Sequence, residues 1–145
     1  MNLIWGAILV IFTGLLCWLI QVINTFQPDL AADLGLNEPE DEVDPAFFAD
    51  TRGEAVWDVL TLWTLPLAGI LLIVDNPLWA YLGLVGGGFF LYFAGRGLVV
   101  RGVMQSRGIQ IGKPETVKLY RGVLTLWGSI AAVTIALAIT DLPLP

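Results

Sequence analysis

The sequence predicts an all-α integral membrane protein, a bundle of four transmembrane helices arranged as two helical hairpins. Three observations predict it. Of the 145 residues, 57% are hydrophobic; mean hydropathy is +0.78; and most charges fall in two segments, residues 27–55 and 101–121. A soluble domain is about a quarter charged, whereas here the figure is 14%, so long stretches have no means of facing water.

The first apolar run, Leu3–Asn24, has no basic leader and no small-residue cleavage site behind it, which reads as a retained span rather than a signal peptide. An acidic connection, 27–55, follows, with Asp29, Asp33, Glu38, Glu40, Asp41, Glu42, Asp44 and Asp50 against Arg52 alone. Its few apolar residues predict a segment that buries no core. Within it Asp44-Pro45 suits the N-cap and first residue of a short interfacial helix bearing Phe47 and Phe48. Thr51-Arg52-Gly53-Glu54 matches a capping box at the start of the second span, Ala55–Val74. Asp75-Asn76-Pro77 can only reverse the chain into the third span, Leu78–Val100. After a basic connection, 101–121, with a turn at Gly112 and Pro114 opening a helix, the fourth span is Leu119–Thr140. Each span approaches the roughly 20 residues needed to cross the hydrocarbon. Residues 1–74 and 75–145 thus form the two hairpins of one membrane domain.

Basic residues set orientation. Arg52, Arg101, Arg107, Lys113, Lys118 and Arg121 all lie in or beside the two longer connections, which predicts both connections in the cytoplasm and both termini outside, in a plasma or inner membrane. Trp5 and Trp79 then mark the outer headgroup level, and Trp57 and Tyr120 the inner one.

The string Val59-Leu60-Thr61-Leu62-Trp63 recurs as Val123-Leu124-Thr125-Leu126-Trp127, predicting that the hairpins are parallel copies in which Thr61, Thr64 and Ala68 answer Thr125, Gly128 and Ala132. With Gly14, Cys17, Gln21 and Asn24 in the first span and Ala80, Gly83, Gly87, Ala94 and Gly97 in the third, these small residues read as the interior packing seam. The glycines at 83–87 do not form a nucleotide loop, having no lysine after them and no strand before them.

Span depths place Asp58, Arg96 and Arg121 together near the cytoplasmic interface, with Gln21 in reach. Because intramembrane charge is costly, two outcomes are expected of these residues: an Asp58–arginine clamp joining the hairpins, or arginines that snorkel to the headgroups while Asp58 acts only near its helix N-terminus. Arg101, Arg107, Lys113 and Lys118 are candidates for lipid phosphates. The acidic connection should dock loosely and electrostatically on the basic one.

Chemistry is constrained by absence. There is no histidine, the commonest metal ligand and general base, and the lone Cys17 excludes an internal disulfide. The acidic run lacks EF-hand spacing and its glycine, and no basic face is interleaved with aromatics for nucleic acid. The expectation is therefore a non-catalytic accessory, anchoring or assembly subunit without cofactor or metal. Its partners would be the lipid bilayer and other membrane subunits or copies of itself; an oligomeric solute or ion transporter is the alternative.

Overall fold

The computed structural model describes residues 2–142. The expected outward placement of the C-terminus, at Pro145, lies outside the described residues. Every regular element among those described is helical: α1 (Asn2–Phe26), α2 (Pro28–Asp33), a single 3-10 turn (Glu40–Glu42), α3 (Pro45–Thr61), α4 (Thr64–Ile73), α5 (Leu78–Ser106) and α6 (Pro114–Asp141). α3 and α4 run on as one 29-residue rod, so four rods are long and apolar enough to cross a membrane.

Local chemistry explains most boundaries. Asp44 caps α3, its Oδ1 accepting from the Ala46 N–H at 2.8 Å, with Pro45 at the first helical position. The helix then continues through Thr51, whose Oγ1 donates to the Phe48 carbonyl. The expected short interfacial helix and the second span are therefore one element, and the Thr51–Glu54 box starts nothing. Burial of Phe47 holds the early turns in place. The break instead falls at Leu62–Trp63, because Pro66 has no N–H for the Leu62 carbonyl and its ring crowds that oxygen. After α4, Asn76 N–H bonds the Leu71 carbonyl at 2.9 Å around Asp75, which holds a left-handed φ of 52°. α5 runs on past the span end at Val100, as expected of a helix that leaves the membrane before a turn, and ends at Ser106; the turn comes at Gly108, φ 75°, where Ile109 N–H reaches the Met104 carbonyl. Leu9–Trp18 of α1 has π-helical hydrogen bonding, shown where Leu19 N–H bonds the Gly14 carbonyl.

α1 packs on α3 and α4, α4 on α5, and α5 on α6. α6 meets α1 again where Trp127 Nε1 donates to the Phe12 carbonyl at 2.9 Å. The α3–α4 rod is central: half of its apolar window is buried, against 28% for α1 and for α6. Gly83, Gly87, Ala94 and Gly97 form the α5–α6 seam, a β-carbon at Gly87 falling 2.6 Å from Ile135 Cγ1. Gly14 meets Pro66, Gly128 meets Ala94, and Cys17, Thr61, Thr64 and Ala68 are buried. Thr125 departs from the expected interior seam, since it and Ala132 are exposed. The two like strings thus occupy unlike environments, because one belongs to a rod with neighbours on two sides and the other to an edge helix. Two crossings were not among the expected seams: Gly6 against Gly69, and Gly86 against Leu65.

The two connections also differ from expectation. Val43 and Phe47 from the first pack with Ile111 and Val117 from the second region, flanked by Phe48, Met104 and Ile109. Neither segment has enough apolar surface for a core alone, but together they make one. Asp44 N–H bonds the Gln110 carbonyl at 2.8 Å, and Tyr120 Oη donates to the Leu36 carbonyl at 3.0 Å. The result is a cap over one end of the bundle, in which apolar contact and hydrogen bonds to main-chain carbonyls add to the ion pairs Lys113–Glu42 and Arg101–Glu38 between the acidic and basic connections.

Candidate functional site

Because α3 starts at Pro45, Asp50, Glu54 and Asp58 stand at successive four-residue steps on one helical face. Arg96 of α5 meets the first two: its guanidinium binds Asp50 through Nη2–Oδ1 at 2.5 Å and Nη1–Oδ2 at 3.2 Å, and Glu54 through Nη1–Oε1 at 2.9 Å. Such two-pronged pairing is strong and directional. Asp58, 3% exposed, takes no arginine. Its Oδ2 accepts from Gln21 Nε2 at 3.0 Å, and Gln21 Oε1 accepts from Asn24 Nδ2 at 3.3 Å.

The expected clamp is corrected accordingly. Gln21 and Asp58 meet, but Arg96 lies one to two turns along the ladder, and Arg121 sits on the exposed side of α6, bonded to Gln105. Equal depth in two helices does not fix azimuth, and Arg96 has two carboxylates closer than Asp58. A second span that begins at Ala55 separates Asp50 and Glu54 from Asp58; the four-residue spacing is legible in the sequence only when all three are read on one helix.

A cleft of about 470 Å³ opens between α3 and α5, lined by the ladder, Arg96, Thr61 and the aromatic rings of Trp57, Phe89, Tyr92 and Phe93. Glu54 and Phe93 also border a second, smaller cavity of about 70 Å³ between the bundle and its cap. That volume admits a few water molecules. Asn24 Oδ1, Asn37 Oδ1 and Glu38 Oε1, from residues lining it, have no protein hydrogen-bond donor.

Arg101 reaches this inner cavity and is not free for lipid phosphate. Its guanidinium lies 5.2 Å from the ring centroids of both Phe47 and Tyr120 and 4.0 Å from Glu38 Oε1, and the residue is buried. Burial pushes the Glu38 carboxyl above its ordinary pKa, an effect Arg101 only partly offsets. Lys113 is also engaged, donating to Glu42 Oε1 at 2.7 Å, which raises its pKa. Arg107 and Lys118 are exposed. No group of three or more Asp, Glu or Cys side chains among the described residues is placed to hold a metal ion.

No family model, no curated protein and no solved structure matches the chain.

Proposed function

We propose that the four long helices cross a plasma or inner membrane and that the chain is a non-catalytic accessory or assembly subunit of a membrane complex. The observation that carries this reading is the outer face of α6. Gly122, Thr125, Ser129, Ala132, Ala136 and Thr140 recur there about every 3.5 residues, and all are exposed. In a bilayer small residues let helices approach closely, and the hydroxyls of Thr125 and Ser129 are satisfied by their own helix, at the Arg121 and Thr125 carbonyls. This side is ready to receive another helix.

Extraction in mild detergent should bring a stoichiometric partner or a second copy. Ser129→Leu with Ala132→Leu should release it while leaving thermal stability unchanged; retention of the complex by this variant would refute the role of the face. The basic residues support a cap on the cytoplasmic side and both termini outside. Single cysteines at Asn37 and Pro145, in a Cys17→Ser background, should label from opposite sides.

A second reading, transport by an oligomer, is favoured by the polar line Asp58–Gln21–Asn24, which connects the lateral cleft with the inner cavity. Flux in reconstituted vesicles, lost in Asp58→Asn, is its test.

A further inference from the structure

We propose that the cleft between α3 and α5 binds the ammonium group of an amphiphile, with Asp58 as its counter-ion. Three carboxylates, Asp50, Glu54 and Asp58, line the cleft with one cation, Arg96. Arg96 engages Asp50 and Glu54, so its donors are directed at those two. Asp58 is 3% exposed and has no salt-bridge partner among the described residues; Gln21 supplies one hydrogen bond to Oδ2, and Oδ1 receives none. A carboxylate so placed is costly unless it takes a proton or a positive charge joins it, and a bound ammonium group supplies that charge. An anionic ligand finds no free cation here, and the three carboxylates, two of them held by Arg96, are not among the described residues placed to hold a metal ion.

The walls supply the second part of the recognition. Trp57, Phe89, Tyr92 and Phe93 line the same cleft as the carboxylate, and aromatic faces attract ammonium groups and pack against alkyl chains. Trp57 and Tyr92 are 56% and 63% exposed, which puts them at the mouth, between two helices and on the side of the bundle. A headgroup can enter there while its chain stays among lipid tails. The volume, about 470 Å³, is within the usual range for small-molecule sites. The ammonium can belong to an amine-bearing lipid headgroup or to a free cationic amphiphile. The site does not depend on the assembly reading.

The test uses the full chain in dodecyl maltoside, a neutral detergent without ammonium. Equilibrium dialysis with radiolabelled decyltrimethylammonium, below its micellar concentration, should show one saturable site that the uncharged carbon isostere does not compete for. Asp58→Asn should weaken binding about tenfold or more, the equivalent of about 1.4 kcal/mol. Trp57→Ala and Tyr92→Ala should each weaken it by about threefold or more; both side chains are largely exposed, so these variants report on the cleft even if Asp58→Asn does not fold. Displacement by phosphatidylethanolamine but not by phosphatidylglycerol supports the site with a lipid as its source, and no displacement by either supports it with a free amphiphile. Absence of saturable binding by folded wild type, or wild-type affinity in all three variants, overturns the proposal.

Discussion

Gly86→Ala isolates the contact between the central rod and α5. The new methyl would lie 2.6 Å from Leu65 N, 2.8 Å from its Cα and 2.9 Å from its Cβ. None of these atoms can rotate away. Ordinary contact begins at 3.4 Å, so the helices would have to part by roughly 0.5–0.8 Å. Overpacking of this kind costs about 1–3 kcal/mol. The rigid neighbour puts Gly86→Ala at the upper end, and alanine's helix preference returns about 1 kcal/mol, leaving a net loss of about 2 kcal/mol. Gly88→Ala is the matched control: it lies two residues along the same helix with nothing within 4 Å of the added carbon, so only the propensity gain remains. Cys17, buried and the sole cysteine, serves as a native reporter. A fluorogenic thiol dye should react only as the bundle opens. The midpoint should fall by about 5–8 °C in Gly86→Ala and hold or rise in Gly88→Ala. Equal midpoints would refute the argument that backbone proximity at this crossing decides stability.

Gln21→Ala and Asp58→Asn should be non-additive in a thermal double-mutant cycle, with a coupling of about 1 kcal/mol, whereas Arg121→Ala should add independently to Asp58→Asn. Phe47→Ala should cost about 3–5 kcal/mol and speed proteolysis of the first connection. Raising salt should leave that cleavage rate nearly unchanged in wild type; a large salt effect would restore an electrostatic account of the cap. The pH dependence follows from Glu38, whose carboxyl is pushed up by burial, beside Arg101 and Tyr120 and across the inner cavity from Asn24 and Glu54. A raised carboxyl binds more protons folded than unfolded, so its contribution to cap stability falls as pH rises from the ordinary glutamate range through the folded value. Protection of the connection from protease should therefore increase on acidification toward that range, and Glu38→Gln should flatten the dependence. A profile unchanged by this substitution would remove Glu38 as its source.

Four apolar rods, the reversal at Asp75-Asn76-Pro77, the Asp44-Pro45 start and the glycine seam of α5 are all legible in the chain read one segment at a time. These rest on local rules: a run of about 20 apolar residues, a cap, a proline and a small-residue period all act within a few turns of one helix. Azimuth was decided only by the tertiary structure. Depth placed Asp58, Arg96 and Arg121 in one layer, but packing turned Arg96 toward Asp50 and Glu54, gave Asp58 to Gln21 and left Arg121 outside. The identical five-residue strings diverged for the same reason, since Thr61 lies in a rod packed on two sides and Thr125 on an edge helix. The cap was invisible to any reading of one segment at a time. Val43 and Phe47 bury nothing until Ile111 and Val117 are brought opposite them, and burial energy belongs to the pair of surfaces, not to either stretch of sequence.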